Sequence, residues 1–280
     1  MRYKKSIKLS YYISFLSIIT FNASAQKLPD LQTKSLSLPG SMIVDGKAKE
    51  WNNVFQAFNH HTNIFYTMAN STSNLYLTVQ ARDIETVKKI LAGGISVIIN
   101  NTGKRTNKNN VTITFPLISG IAQSRIALHY NELTKLAEKK KSDQIEPGLA
   151  ELNREISSSS KEIKVKGIKE ITDTLMSVYN RQGLKAKILF DNKMAITYEL
   201  LIPLKYLGVS LDKSPKFIYN VMLNGLMAAT QKVNKNVGTR EVESVTMIPR
   251  GISTGSESNF KNLNFPTDFW ATYILSPLNQ

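Results

Sequence analysis

Two stretches near the start of the chain alternate with a period of two. "NIFYTMAN" (63–70) and "NLYLTVQARD" (74–83) set aromatic or branched residues against polar ones, and Asn-Ser-Thr-Ser-Asn joins them. Alternation with a polar turn between predicts two half-buried strands. "GISVIIN" (94–100) is a short apolar run and "NVTITFPL" (110–117) alternates again. The polar stretch between them, with Gly103, predicts a hairpin with a long basic tip. Further on, "LKAKILF" and "KMAITYELLIPL" flank Asp191-Asn192 and predict another hairpin. "KFIYNVMLNGLMAAT" (216–230) reads as a buried strand, residues 231–267 as polar loops around a short strand at 244–248, and "DFWATYIL" (268–275) as an edge or pairing strand. Nine or ten short strands in this pattern predict a mainly β protein, an antiparallel sandwich of the immunoglobulin-like or jelly-roll kind.

The middle of the chain has a different period. From 121 to 182 it is rich in Leu, Glu, Lys and Ala. Ile126, Tyr130, Leu133 and Leu136 recur at helical spacing. Pro147 is placed to start a second helix. Ile168, Ile171, Leu175 and Val178 suggest a third, stopped by Gly183. This predicts a helical insertion, 121–182, in a β-domain spanning 39–280.

Three pieces occur in order around that insertion: "VDGKAKEW" (44–51), "TNIFYTMANSTSNLYLTVQARD" (62–83) and "ITYELLIPLKYLGV" (196–209). Together they resemble carbohydrate-binding module family 9 and its exported bacterial relatives, where an Asp-Gly…Trp opening, an Asn-Leu-Tyr strand ending in Asp and a late Tyr-Glu…Ile-Pro strand mark the sandwich. The helical stretch lies outside the resemblance. What the resemblance implies is a non-catalytic sandwich that binds saccharide. In sugar-binding members two aromatic rings clamp a terminal sugar, helped by polar side chains and a nearby calcium. This chain has only two tryptophans, Trp51 in the opening motif and Trp270 in the final strand, and each could equally plug the core. Tyr66 and Tyr76 are the other candidate rings. An envelope component that keeps the sandwich and has lost sugar binding is the alternative function.

Residues 1–25 change the picture of where the chain acts. Arg2, Lys4, Lys5 and Lys8 precede a short apolar stretch, and Ala23-Ser24-Ala25 is a small-residue cleavage pattern. That predicts a secretory signal peptide, followed by a polar linker or leader strand over 26–38. The apolar core is short for a membrane span, and no later stretch resembles one. Removing the four basic residues takes the formal net charge from +15 to +11. In an exported protein this points to an acidic glycan or another anionic envelope polymer and away from nucleic acid. There is no cysteine. That excludes disulfides, thiol chemistry and a lipoprotein anchor, and predicts a chain free in the periplasm or secreted.

Candidate chemistry is sparse. Lys104 and Arg105, with Lys108, form the basic hairpin tip suited to an anionic ligand. Asp45 or Asp83 could lend oxygens to calcium, but they stand as isolated acids where such a site needs six to eight oxygens. Glu199 sits in the late strand without a sequence partner for glycosidase chemistry. His60 and His61 are adjacent, so a strand would send them to opposite faces. His129 falls on the helical insertion, at its surface or boundary. No cofactor and no catalytic residue is indicated.

Overall fold

A computed structural model describes residues 27–52, 54–105, 110–139, 142–213, 215–226 and 263–277. The expected signal peptide and the expected strand at 244–248 lie outside these. Two antiparallel sheets face each other. One runs in the order β1-β2-β3-β9-β8, with β1 Ala57–Asn59, β2 Ile64–Asn70, β3 Asn74–Ala81, β8 Lys185–Phe190 and β9 Ile196–Pro203. The other runs β11-β10-β4-β5-β6-β7, with β4 Ile95–Asn100, β5 Val111–Phe115, β6 Glu162–Lys166, β7 Leu175–Ser177, β10 Lys216–Leu223 and β11 Thr267–Ile274.

Alternation decides which side chains meet between the sheets. Tyr66, Met68, Leu75, Leu77, Val79, Tyr198 and Leu200 come from the first sheet. Val97, Ile113, Phe217, Tyr219, Val221 and Phe269 come from the second. Tyr66 lies 5.0 Å from Phe269, ring to ring. Its hydroxyl stands 3.4 Å from that of Tyr219, so two buried phenols share a polar contact across the core.

A sandwich has two open sides, and this chain closes each differently. On one side the leader crosses from β2 to β11. Leu38 N donates to Asn70 O and Asn70 N to Leu36 O. Ser35 Oγ donates to Ile274 O, and the Tyr273 hydroxyl bonds to Leu36 O. Met68, on the half of β2 beyond the end of β1, has no backbone partner on this side among the described residues, because β1 pairs only as far as Tyr66. Gln32 supplies one with its side chain: Oε1 accepts from Met68 N at 2.7 Å and Nε2 donates to Met68 O at 2.8 Å. A primary amide carries the same donor and acceptor as a peptide group, so Gln32 extends the ladder by one rung. The sequence suggested a linker or leader strand over 26–38; the leader is a docked seal, and Gln32 is buried within it.

On the other side sits a helical hairpin, α2 (Gly120–Glu138) and α3 (Ser142–Ser159). Ile126, Tyr130, Leu133, Leu152 and Ile156 join the main core, and Tyr130 stacks on Phe190 of β8 at 5.1 Å. Asn153 repeats the device of Gln32: Oδ1 accepts from Phe190 N at 2.8 Å and Nδ2 donates to Phe190 O at 2.9 Å. Gly148 lets the helices close up, since a β-carbon there would stand 2.5 Å from Leu133.

Four expectations need correction. The insertion is helical only over Gly120–Ser159; the third expected helix is absent, and β6, a loop and β7 occupy 160–182. "EIKVK" alternates with a period of two and sends Ile163 and Val165 inward, while Gly167 turns the chain at φ +85°. Pro147 lies inside α3 and does not start it. The strand expected over 216–230 ends at Leu223. Finally, a helix went unseen: α1 (Ile84–Gly93) follows β3, capped by Asp83, whose carboxylate accepts from the Glu85 and Thr86 amides.

Replacing Gln32 by Ala should strip Met68 of both partners at a buried edge and destabilise the protein by about 2–4 kcal/mol. Gln32→Glu should also destabilise it, because an oxygen would then face Met68 O. Denaturant unfolding with amide exchange at Met68 checks this; a loss below about 0.5 kcal/mol for both variants would mean the rung carries no weight.

Candidate ligand-binding site

Two residues far apart in sequence meet on β11, the edge strand of the six-stranded sheet. Trp270 points outward from β11, since its neighbours Phe269 and Ala271 belong to the core. The β4–β5 loop brings Arg105 over it, with the guanidinium carbon 5.9 Å from the indole centroid. Leu31, Gln32, Ile218, Ala271 and Thr272 complete a groove of about 300 Å³. Trp270 is partly exposed, and Arg105 and Thr272 are exposed. The guanidinium therefore presents donors beside a half-open aromatic face, a pairing in which the ring also steadies the cation. Lys104 is exposed on the same loop but does not line the groove.

The other three candidate rings form no open platform. Tyr66 is fully buried between the sheets. Tyr76 points to the opposite, outer face of its sheet, yet it too is fully buried, because Trp51 stacks over it at 6.1 Å and 28°. Asp45 and Gly46 lie in a turn ahead of the first strand. The turn leads into a short 3-10 helix, Lys49–Trp51, flanked by Ala48 and Asn52 in the left-handed region. Trp51 is thereby laid flat on the sheet as a cover.

Beneath this cover lies Glu199, on β9 and wholly buried. Its Oε2 accepts from Gly46 N at 2.5 Å and its Oε1 from the Tyr76 hydroxyl at 2.6 Å. Gly46 packs so closely on Leu189 that a β-carbon would stand 2.9 Å from Leu189 Cγ, and its φ of +85° independently favours glycine. The Asp-Gly turn, the tyrosine and the tryptophan of the opening motifs are thus one assembly on one carboxylate. Burial pushes the Glu199 carboxyl above the ordinary glutamate value, against the two hydrogen bonds that favour its ionised form. Burial and the nearby Glu199 likewise raise Tyr76 and keep its hydroxyl a donor. Trp51 Nε1 and Thr78 Oγ1 are buried here without a hydrogen-bond partner among the described residues.

The remaining candidates are engaged locally. Asp45 accepts from Lys47 N at 3.0 Å. Asp83 caps α1 and accepts from Asn63 at 2.6 Å, so its oxygens serve protein donors. His60 pairs with Asp30 of the leader, and His129 with Glu155 at 3.2 Å. Among the described residues no three His, Asp or Glu side chains gather as a metal site. Lys89 on α1 carried no sequence signal beyond its charge. Its Nζ donates to Thr267 at 3.0 Å, and burial lowers its pKa to about 8.

Glu199→Ala should cost about 3 kcal/mol or more, because Gly46 N–H and the Tyr76 hydroxyl lose their acceptor in a buried place. Glu199→Gln keeps the shape and removes the charge. The wild-type carboxyl binds its proton more tightly folded than unfolded. Its contribution to stability is therefore present below the unfolded value and is lost as pH rises through the raised folded value. Wild type should lose stability relative to Glu199→Gln as pH rises from about 4 towards 7. Unfolding curves of both proteins across that range test the sign; a wild type that gains stability relative to Glu199→Gln as pH rises would reverse it.

Comparison with protein-family models, with curated proteins and with solved structures finds no match.

Proposed function

We propose that the chain is an exported, non-catalytic glycan-binding sandwich whose ligand seats in the groove at Trp270. The convergence of Trp270 and Arg105 on one groove carries this reading. A sugar ring offers C–H groups to an aromatic face and hydroxyls to nearby donors. Arg105 adds a fixed positive charge, which favours a sugar bearing a carboxylate or sulfate. A volume of about 300 Å³ suits a small ligand or one unit of a longer one. The basic charge of the chain fits the same ligand class. The three motifs that resemble carbohydrate-binding module family 9 support the reading of a saccharide-binding sandwich, although the two-ring clamp of that family has no residue-by-residue match here and the groove offers one ring and one guanidinium. Export rests on the basic, apolar and small-residue pattern of residues 1–25. A non-catalytic role is supported by Glu199, which is closed off beneath Trp51 and engaged by two protein donors.

A second reading, a protein-interaction component of the envelope, is favoured by one observation. Leu175, on β7, and Tyr179, just after it, are 50% and 82% exposed at the short outer strand of the six-stranded sheet. Such an edge is suited to a partner strand.

The two separate in a titration with mono- and digalacturonate and with their neutral galactose counterparts. Glycan binding predicts preference for the acidic sugars, a loss of about tenfold or more for Trp270→Ala, and loss of the acidic preference for Arg105→Gln. Absence of binding to every sugar, with both variants folded, would leave the interaction reading.

A further inference from the structure

A straight row of side chains runs from the groove across the outer face of the six-stranded sheet. Trp270 pairs with Asn220 of β10, Asn220 with Ile98 of β4, Ile98 with Thr112 of β5, and Thr112 with Lys166 of β6. All five point outward, because their chain neighbours Phe269, Tyr219, Val97, Ile113 and Val165 are core residues. Strands lie about 4.8 Å apart, so four steps separate Trp270 from Lys166 by about 19 Å. Asn220 is buried in the floor of the row, Ile98 and Thr112 are half-buried, and Lys166 is exposed.

The charges on this face are arranged around that row. Arg105 and Lys104 stand at its Trp270 end. Lys166 closes the other, with Lys164 in the adjacent row, and Lys216 lies on β10. Two acids share the face. Asp268 accepts from Asn220 Nδ2 at 2.5 Å, and Glu162 lies opposite Ser177 beside the short edge strand. Neither stands in the row itself. The row thus has a cation at each end and one aromatic ring at the start; between them lie the Asn220 amide, whose Nδ2 engages the Asp268 carboxylate, the apolar Ile98 and the Thr112 hydroxyl.

We propose that this row is a track for a linear polyanionic glycan of the uronic-acid kind. One sugar seats on Trp270, the chain crosses the strands, and Lys166 meets an acidic group further along. The proposal rests on the groove being a sugar site and extends it from a single unit to a polymer. Charge complementarity selects the acid, the half-buried Ile98 and Thr112 suit the faces of successive sugars, and the spacing of the two cationic ends requires a ligand of several units.

The test is calorimetric titration of the chain without residues 1–25, using galacturonate oligomers of one, two, four and six units at low and moderate salt. Affinity should rise about tenfold between two units and six. Lys166→Gln should remove most of that gain and leave the two-unit affinity unchanged, whereas Trp270→Ala should weaken every length. Equal affinity at all lengths, or a six-unit affinity untouched by Lys166→Gln, would overturn the track while leaving the groove standing. A two-unit affinity untouched by Trp270→Ala would overturn the groove reading itself. Vesicles of anionic phospholipid that compete as well as the six-unit oligomer would also overturn the track, by marking a general basic surface.

Discussion

Unpaired backbone at the edges of the five-stranded sheet is the constraint around which the rest of the molecule is arranged. Every buried N–H and C=O needs a partner, and an edge strand offers a row of them to any passing chain. At both edges the same chemistry answers. Gln32 completes Met68 on one side and Asn153 completes Phe190 on the other, each with one side-chain amide making both bonds. The elements that deliver those amides, the leader and the helical hairpin, are also the elements that cover the open sides of the core. Closing the edges and closing the core are therefore a single structural act.

The two outer faces then take different roles. The face of the five-stranded sheet is closed around Glu199: Gly46 and Tyr76 bind the carboxylate and Trp51 lies on top. A carboxylate held this way costs desolvation, and it fixes the position of a segment that has no strand of its own. The face of the six-stranded sheet keeps Trp270, Ile218 and Thr112 at least partly open to solvent. Nothing comparable to the Trp51 cover lies over it among the described residues.

How much of this was legible in the sequence follows from which signals are local. Period-two alternation located β2, β3 and β5, a short apolar run located β4, the Asp191-Asn192 turn located β8 and β9, and a Leu/Glu/Lys-rich period of three to four located the helical hairpin. The same spacing misled at Ile168, Ile171, Leu175 and Val178, where three- and four-residue steps arose by chance over a loop and a short strand. "EIKVK" carried the better signal, but it is five residues long and sits in helix-like composition. Helix α1 hid behind a strand that ended in its capping residue, Asp83. For the site, residue type identified Trp270 and Arg105, yet only the folded loop brings them together. Tyr66 and Tyr76 are rings of the right type, but the side of the strand on which each lies determines what covers it. Gln32 gave no signal, because a side chain acting as a peptide group has no composition or spacing of its own.

The seal formed by the leader has a consequence for the order of events in synthesis. Ser35 reaches Ile274, Leu36 reaches Tyr273 and Ser37 reaches Ser276, contacts that span more than two hundred residues. Loop closure of that length is slow, and it cannot occur until β11 exists. The leader emerges early and finds its final partner only when the last strand arrives. A nascent chain of this design stays open along one side until its last strand has been made, and the core is completed only once the whole chain is available.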